Sequence, residues 1–537
     1  MSSTINIVGT GGIIEGNLET ANVNVNLDAP YTFDGTDDFF HVADHNDFDL
    51  SSTWTISAWF YADSTMAGST IPIIAKNGTS GSDAARPYTI VYSTSLKILR
   101  VYIGDNSAAT VFDSNALTED CWHHVALTYN DSNDDIKMYI DGQTSGTGYT
   151  ENLSYTRQTY NSTKSLSIGG FYTNDTGSGS NFWKGHIADV RIYNTDIGAT
   201  DIPVLASKIN PDITLGAGST NLVAHWPLLN GSANDAENAT KGASSTDHDL
   251  TAVGSPAQDY DAFSVNVQDN STQTDGTFTV TQGKVEGKAL SALEFNGSNQ
   301  EIALNGNLSM AGDFTFSTWF NADEFDNNVL LAKGSDSSCV IRISNSGAIT
   351  FNFNNQGEEA ISGITFAGTG AWTHLVITRD YSTGKTDVYV NGVYQSTATF
   401  DSGNATGNFD VIGKGSSYYW DGHLRDMRMY DAIILSADQI ASLYSGTYPV
   451  MPKYWWKMDE GTGLPLSTGT ESISNPSDTG ANGATVDAVW DNGTLNLDGA
   501  LTIATAGTLS APRGNLTMGA AFHSNATDPN TQFIHNN

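Results

Sequence analysis

Short stretches in which apolar and polar residues alternate recur along this chain. In residues 53–60, the side chains of Trp54, Ile56 and Ala58 fall on one side of an extended strand, and the residues between them fall on the other. A period of two residues is typical of half-buried β-strands. Asn, Asp, Gly and Ser residues that favour turns separate these stretches. The pattern therefore predicts an all-β protein.

Helical periodicity is nearly absent, with one exception at residues 435–446. Ser436 is a favourable N-cap, and Ile440, Leu443 and Tyr444 recur on one helical face. This segment predicts one short helix.

The alternating stretches occur twice in the same order. The matched segments are residues 53–63 and 313–323, 73–78 and 330–335, 121–130 and 371–380, 136–142 and 386–392, 166–170 and 410–414, and 182–194 and 419–431. The distance between the copies falls steadily along the chain, as expected when the second copy has shorter loops. The chain thus contains two copies of a domain-sized β fold, which we interpret as a double-sheet sandwich or jelly roll.

A second set of matches predicts the domain limits. Residues 222–235 resemble residues 452–463, and each segment precedes a Gly-, Ser- and Asn-rich stretch and then a strand. The predicted organisation is an N-terminal arm or replacement first strand (1–30), a first jelly roll (31–205), a linker (206–218), a second jelly roll (219–448) and an incomplete third jelly roll (449–537). Residues 514–537 align with residues 312–335, so we expect the third sandwich to be completed by further residues or by another chain.

One motif identifies the type of jelly roll. Residues 185–193 read GHIADVRIY, and residues 422–430 read GHLRDMRMY. Together with the preceding Trp-containing strand and an Asp-Gly or Asn-Gly hairpin, the motif resembles the laminin-G-like domains of the concanavalin-A-like lectin/glucanase superfamily. The resemblance implies an all-β fold of tandem concanavalin-A-like (LamG-like) β-sandwich jelly rolls. It also implies modules that bind glycans or proteins, often with calcium.

The charge balance excludes several kinds of partner. Acidic residues outnumber basic ones by 59 to 23, and the formal net charge is −36. A field of this sign repels nucleic acid and anionic membrane surfaces. No stretch reaches 18 consecutive apolar residues, so we expect no membrane insertion. The first 20 residues lack the basic and apolar regions of a signal peptide, from which we expect synthesis in a cytoplasm without export by that route.

The catalytic pattern of the related glucanases is missing from the sequence. Those enzymes carry a Glu-x-Asp-x-Glu-like strand whose acid and nucleophile lie about 5–5.5 Å apart. Glu358 and Glu359 are adjacent here, so in a strand they point to opposite faces. We therefore expect no enzyme, and a glycoside hydrolase is the least favoured of the functions considered.

Two acidic loops offer oxygen ligands for calcium, the one cofactor considered. Asp34 and Asp37 lie in the first loop, and Asp131 and Asp134 lie in the second. The segment of the second copy that matches the second loop is a plain turn, residues 380–384. An ordinary turn is therefore the favoured interpretation, and the calcium sites remain hypotheses.

Histidines and aromatic residues present a similar choice between scaffold and site. His123 and His124 are neighbours in a predicted strand, so their side chains diverge, which favours a structural role over metal binding. Tryptophans that recur in both copies are assigned to the core. Aromatic residues that stack on a sugar are expected in loops that differ between the copies, and the candidates are Tyr172 and Phe325.

Repeated acidic jelly rolls of this kind resemble virion proteins of tailed bacteriophages, such as tail fibres, head fibres and capsid decorations. The resemblance implies a position on the virion surface and partners among other virion proteins. It also implies further copies of the same chain, as in a trimer, and a host surface glycan. The alternative is a bacterial surface adhesin in an extracellular setting.

Overall fold

The computed structural model describes the chain apart from residues 1–2, 16–20, 51, 77–82, 106, 145–150, 153–162, 174–177, 212–220, 234–247, 269–271, 274–275, 288–290, 311, 327, 335–337, 354–357, 401–406, 460–488, 492, 513, 525–532 and 535–537. It divides into two compact units. One unit comprises residues 28–262 and 448–450, and the other comprises residues 1–27, 263–447 and 451–537.

Along the chain, strands of one parallel set come before, between and after the strands of two antiparallel sandwiches. The first parallel strands are β1 (Ser3–Gly9), β2 (Gly12–Glu15) and β3 (Ala21–Leu27). The first jelly roll contains β4 (Tyr31–Asp34), β5 (Phe39–Val42), β6 (Trp54–Ala62), β7 (Ile71–Lys76), β8 (Tyr88–Ser93), β9 (Ile98–Gly104), β10 (Ala109–Asp113), β11 (Trp122–Asn130), β12 (Asp135–Ile140), β13 (Gln143–Thr144), β14 (Glu151–Asn152), β15 (Leu166–Ile168), β16 (Phe171–Thr173), β17 (Ser178–Ser180), β18 (Lys184–Tyr193), β19 (Leu222–Trp226), β20 (Thr251–Val253) and β21 (Ala257–Gln258).

The chain then returns to parallel strands before it enters the second sandwich. These strands are β22 (Ser264–Gln268), β23 (Thr272–Gln273) and β24 (Phe278–Glu286). The second jelly roll contains β25 (Ala292–Asn296), β26 (Ile302–Met310), β27 (Phe314–Ala322), β28 (Asn328–Ala332), β29 (Val340–Ile343), β30 (Ile349–Asn352), β31 (Glu359–Ile361), β32 (Thr373–Arg379), β33 (Lys385–Val390), β34 (Val393–Thr399), β35 (Gly407–Ile412), β36 (Lys414–Gly415), β37 (Tyr418–Tyr419), β38 (Asp421–Asp431), β39 (Tyr454–Trp456) and β40 (Val489–Asp491). The last parallel strands are β41 (Thr494–Leu497), β42 (Leu501–Ser510), β43 (Asn515–Met518), β44 (Phe522–Ser524) and β45 (Phe533–Ile534).

Two antiparallel sheets enclose the core of each jelly roll. In the first, one sheet has the order β13-β12-β11-β6-β18-β4-β21 and the other has the order β10-β9-β8-β7-β15-β5-β20. In the second, the corresponding orders are β34-β33-β32-β27-β38-β25-β40 and β26-β35-β28-β29-β30-β31. Each sandwich has its own continuous apolar core. The expected all-β fold of tandem concanavalin-A-like sandwiches is confirmed.

The described residues contain two short α-helices. One, α1 (Gly198–Leu205), lies between β18 and β19 of the first jelly roll and was not predicted. The other, α2 (Ala437–Tyr444), confirms the predicted helix. Ser436 caps it through a reciprocal pair of hydrogen bonds with Gln439. Among the described residues, no helix is long and apolar enough to cross a bilayer.

Strand pairing corrects two predicted domain limits. The strands β19 and β39, which lie within the two matching segments, occupy equivalent places, but each closes the sandwich that precedes it. Val190 of β18 lies opposite Trp226 of β19, and Met427 of β38 lies opposite Trp456 of β39. The first jelly roll also takes β20 and β21 as edge strands next to β5 and β4. The second jelly roll was predicted to start at residue 219, but β19 belongs to the first jelly roll, whose closing strand comes late in the sequence.

The predicted third jelly roll at residues 449–537 is likewise replaced. From residue 494 onward the described strands pair in parallel, with β41 beside β43 and β42 beside β24, β44 and β45. A sandwich of this family pairs its strands antiparallel. The alternating pattern of residues 495–503 resembles a sandwich strand, but a period of two does not distinguish parallel from antiparallel partners.

These parallel strands form the turns of a coil that runs through three separate parts of the chain. The N-terminal strand β3 lies beside β24, and β24 lies beside β42, so that Val25, Val280 and Ile503 stack in one buried row. The chain visits the same three columns of strands in a repeating order, as in a parallel β-helix. The first jelly roll interrupts this coil between β3 and β22, and the second interrupts it between β24 and β41. Strands β1, β2 and β3, which lie in the segment predicted as an arm or a sandwich strand (1–30), supply its first turns.

Candidate ligand-binding clefts

An acidic cleft of about 310 Å³ lies in the first jelly roll, between the end of β4 and the start of β5. Its lining consists of Thr32, Asp34, Asp37, Asp38, Gly254, Ser255 and Ala257. Carboxylate oxygens of the three aspartates lie within 4.8 Å of one another. Asp34 and Asp37 are exposed to solvent, whereas Asp38 is buried. The cleft thus gathers three acids around one small volume.

Backbone groups position the buried member of this cluster. The two carboxylate oxygens of Asp38 accept N–H groups from Ser255 at 2.7 Å and from Asp34 at 3.1 Å. A Cβ at Gly254 would lie 2.4 Å from Asp38 Oδ1, so this position requires glycine. Burial raises the pKa of Asp38, and the carboxylates of Asp34 and Asp37 add to this rise against the opposing effect of the two hydrogen bonds. A cation between the three groups would relieve this repulsion.

The cluster suits calcium, the ion implied by the family resemblance. Ca²⁺ takes six to eight oxygen ligands, and carboxylates and backbone carbonyls are its usual ones in proteins. Of the predicted ligands, Asp34 and Asp37 are brought together. Asp38 joins them and was not predicted, although it follows Asp37 directly. When bound, the ion would supply a positive charge on which ligand hydroxyl groups could bind.

The second predicted acidic loop has a different environment. The carboxylate of Asp134 accepts a 2.9 Å hydrogen bond from the hydroxyl of Tyr129, and the N–H of Asp131 donates to Thr53 Oγ1 at 3.2 Å. Asp134 has a φ of 56°, as in a tight turn. Among the described residues, neither Asp131 nor Asp134 belongs to a cluster of three metal-ligating side chains. The loop serves here as the turn between β11 and β12.

A second cleft, of about 210 Å³, lies on the outer face of the six-stranded sheet in the second jelly roll. It is lined by Val329, Val340, Arg342, Asn352, Glu358, Gly415 and Tyr418. The alternation along β29 explains its composition, because Ile341 and Ile343 face the core whereas Val340 and Arg342 face outward. The cleft therefore combines an apolar floor with charged and aromatic walls.

Arg342 is the central group of this second cleft. Its Nε lies 2.5 Å from Glu358 Oε1, and its Nη2 donates a hydrogen bond to Glu358 Oε2 at 2.6 Å. On another side, its guanidinium carbon lies 4.7 Å from the ring centroid of Tyr418, which is 42% exposed. A guanidinium held by a carboxylate and stacked on an aromatic ring is fixed in position. Such a group can donate paired hydrogen bonds to neighbouring hydroxyls, while the exposed ring can pack against the C–H face of a sugar.

The residues of this second cleft were not predicted, and the sequence carried one signal for them. Arg342 interrupts the apolar run of residues 339–343, and a charged residue in such a strand must lie on the solvent face or be paired. Nothing in the sequence connects it with Glu358, which lies just before β31 in the strand order β29-β30-β31, or with Tyr418 of the β36–β37 hairpin.

The two predicted sugar-stacking aromatics lie apart from both clefts. Tyr172, in β16, stacks on His41 with ring centroids 4.2 Å apart and the planes inclined by 16°. Phe325 is partly buried and stacks on Phe366 at 5.5 Å, where both pack against the core of the second jelly roll. The lining of neither described cleft includes these two side chains.

The strand histidines His123, His124 and His374 are buried inside the scaffold. His123 Nδ1 is 2.8 Å from Asp141 Oδ2 in a buried pair, and His124 packs against Trp59 with ring centroids 5.2 Å apart. Burial lowers the pKa of His124 to about 4 and that of His374 to about 3. The neutral, enclosed imidazoles of His124 and His374 therefore act as packing groups at matching positions of the two copies.

The sequence comparisons agree with this architecture. A family profile described as the concanavalin A-like lectin/glucanases superfamily matches residues 34–203 and 296–441, together more than half of the chain. The chain therefore belongs to this superfamily, with two laminin-G-like, carbohydrate-binding-type domains. A comparison with curated proteins gave no match.

Solved structures with a similar fold include a pentraxin and laminin. The heptameric SAP-like pentraxin from Limulus polyphemus covers 37% of this chain and 95% of its own length, with 16% identity and a TM-score of 0.29. The LG4-5 domains of the mouse laminin alpha1 chain cover 75% of this chain and 88% of their own length, with 12% identity and a TM-score of 0.26. The CBM40 of a Ruminococcus gnavus sialidase, bound to a sialyllactose, covers 30% and 89%, with 13% identity and a TM-score of 0.25.

Proposed function

We propose that this protein is a non-enzymatic binding protein whose jelly rolls recognise glycans, and that it is a structural component of a virion surface. The cleft around Arg342 carries the binding part of the proposal. It joins a positioned guanidinium, an exposed tyrosine ring and an apolar floor in an open groove. Those are the groups that a pyranose ring with several hydroxyls requires.

The same cleft supports a binding rather than a catalytic role. Hydrolysis of a glycosidic bond requires two carboxyl groups, about 5–5.5 Å apart in retaining enzymes and about 6.5–9.5 Å apart in inverting ones. Among the described lining residues, Glu358 is the only acid, and both of its oxygens lie against Arg342. A carboxylate engaged in this way holds the arginine and is poorly placed to protonate a leaving group.

Glycan binding is tested with the full chain on a glycan array, followed by titration of the best ligand. We expect Tyr418→Ala and Arg342→Met each to weaken binding tenfold or more. Tyr394→Ala is the matched control, because Tyr394 is 50% exposed on β34 of the other sheet in the same jelly roll. Equal binding by all three variants would place the glycan elsewhere, and no binding by the wild type to any glycan would refute the proposal.

The virion part rests on the resemblance together with the domain arrangement and charge. The chain inserts two jelly rolls between strands of a parallel coil, an organisation suited to a protein that carries binding modules, and the charge of −36 is unsuited to nucleic acid. On this proposal the protein assembles in a host cytoplasm with copies of itself, as in a trimeric tail fibre, head fibre or capsid decoration. Its partners are other virion proteins and a host surface glycan.

Mass spectrometry of purified virus particles tests this assignment. We expect the chain at stoichiometric copy number, and imaging of its position then separates a capsid decoration from a fibre. Absence from particles, together with glycan binding by the isolated chain, would instead favour an adhesin on a bacterial surface.

A further inference from the structure

Two histidines and an aspartate that are distant in sequence converge in the first jelly roll. His45 Nδ1 lies 3.3 Å from Asp47 Oδ2 and 3.4 Å from His248 Nε2, and His248 Nε2 lies 3.5 Å from Asp47 Oδ2. The three atoms form a nearly equilateral triangle. The acidic cleft is a separate group, since it shares none of these residues.

The size of this triangle matches the coordination sphere of a small divalent metal ion. Zinc binds histidine nitrogen at about 2.0–2.1 Å and carboxylate oxygen at about 2.0–2.2 Å with tetrahedral geometry, which places neighbouring ligand atoms about 3.3 Å apart. The observed separations lie between 3.3 and 3.5 Å. A point about 2 Å from all three atoms therefore exists close to the plane of the triangle. Calcium, with oxygen ligands at about 2.3–2.6 Å and a preference against nitrogen, fits this set poorly.

The surrounding structure holds the three ligands in place. His45 precedes the 3-10 helix Asn46–Phe48, and its Nδ1 accepts the backbone N–H of Asp47 at 3.1 Å. A bound ion would replace this hydrogen bond, because both use the single lone pair of Nδ1. The ring of Phe48, buried in the core, lies 4.7 Å from that of His248. The indole of Trp226 donates to the carbonyl of His248 at 2.8 Å, so both sides of the site are anchored in the sandwich.

The exposure of the ligands leaves one side open. The side chain of His248 is 5% exposed, whereas those of His45 and Asp47 are 32% and 49% exposed. A metal ion held by the three groups can thus be reached from solvent, and its fourth position can be taken by water. Three protein ligands and an open fourth position also mean a weaker site than a closed four-ligand one, because one protein ligand is missing.

We propose that His45, Asp47 and His248 form a binding site for a divalent transition-metal ion, with Zn²⁺ as the best fit. The ion links two segments of the chain. One is the segment at residue 248, which leads into edge strand β20, and the other is the loop that follows β5. Because β20 pairs directly with β5, metal binding stabilises this edge of the first jelly roll. This site is independent of the glycan cleft around Arg342.

Titration of the metal-free full chain with Zn²⁺ by calorimetry tests the proposal, with Co²⁺ absorption as a spectroscopic check on tetrahedral coordination. We expect one site in the wild type, and a tenfold or greater loss of affinity in His45→Ala and in Asp47→Asn. Both of these residues are partly exposed, so the variants keep the fold. His248→Gln removes the third ligand, and its buried position makes a check of folding by circular dichroism necessary.

His523→Ala is the matched control, since His523 is an exposed histidine on β44 of the parallel coil. It should bind Zn²⁺ like the wild type, and Zn²⁺ should raise the Tm of both proteins but not that of His45→Ala. Asp34→Asn should leave the Zn²⁺ affinity unchanged. The proposal is overturned if the wild type binds no Zn²⁺, or if His45→Ala and Asp47→Asn bind it as well as His523→Ala does.

Discussion

The carboxylate of Asp189 accepts a 2.7 Å hydrogen bond from Nε of Arg191, two residues further along the same strand. A positive φ of 51° at Asp189 and a shift of register between Ala188 and Arg191 disturb the regular strand at this point. The second jelly roll repeats the contact at 2.8 Å between Asp426, with a φ of 49°, and Arg428. The recurring D-x-R of the sequence motif is therefore a pair of charges held across a β-bulge.

Removal of the acid should destabilise the first jelly roll more than the second. Asp189 and Arg191 have side chains only 2% and 6% exposed, whereas those of Asp426 and Arg428 are 22% and 12% exposed. Loss of one partner of a buried ion pair leaves the other charge uncompensated and costs about 3–5 kcal/mol. Asp189→Asn should approach this loss in urea unfolding, and Asp426→Asn should lose less. Asp131→Asn, on an exposed turn, serves as the control, and equal losses in all three variants would contradict the explanation.

The stability of the second jelly roll should fall in mild acid because His374 is buried in its neutral form. Burial lowers its pKa to about 3, well below the ordinary value of 6.5. Below pH 6.5 the unfolded chain binds a proton at His374 that the folded chain excludes. The contribution of the neutral His374 to stability is therefore complete above pH 6.5 and is lost as the pH falls toward 3. The loss amounts to roughly 5 kcal/mol at most, at 1.36 kcal/mol per pKa unit.

Urea unfolding between pH 7 and pH 4 measures this effect. His374→Gln should flatten the pH dependence of the second jelly roll, and an unchanged slope would count against the buried neutral imidazole. The first jelly roll should also lose stability in acid but somewhat less, because burial lowers the pKa of its His124 only to about 4 and its His123 is affected in the opposite direction. Burial lowers the pKa of His123, but Asp141 raises it further, so the net shift is upward and protonation favours the folded state. The residue that matches His123 in the second copy is Thr373, which does not titrate in this pH range.

Calcium should stabilise the first jelly roll through its acidic cleft. An ion that binds only the folded state stabilises it by about 2.7 kcal/mol at a hundredfold excess over the Kd. We expect Ca²⁺ to raise the Tm and a chelator to reverse the rise. Asp34→Asn and Asp37→Asn should abolish this response, whereas Asp131→Asn should retain it. A Tm that is independent of calcium in the wild type would show that the cleft holds no such ion.

The parallel coil predicts a specific cross-link between distant parts of the chain. Thr279 of β24 lies opposite Thr502 of β42, and adjacent strands are about 4.7–4.9 Å apart, within the range of a disulfide. Thr279→Cys combined with Thr502→Cys should form a disulfide under mild oxidation. Thr279→Cys combined with Thr517→Cys is the control, because Thr517 lies in the other parallel sheet. Failure of the first pair, or equal cross-linking of both, would argue against the parallel pairing.

Much of the fold was predictable from local pattern. Period-two alternation and the twice-repeated motif identified the strands and the jelly roll, since both depend on short-range chemistry. The capping box at Ser436 likewise predicted its helix, because a cap and an amphipathic face lie within a few residues of each other. Asp34 and Asp37 were predictable as a candidate site because a single acidic loop contains them.

Other features depended on contacts between distant residues, which a single sequence does not reveal. Strand alternation gives no information on the direction of the partner. The three neighbouring strands β3, β24 and β42 were therefore predicted to belong to an arm or first strand, to the second jelly roll and to a third sandwich, respectively. His45 meets His248, and Arg342 meets Tyr418, only because the sheets bring separate strands together. The sequence by itself thus determined the strands and the family, whereas the tertiary structure decided which strands share a sheet and which side chains share a site.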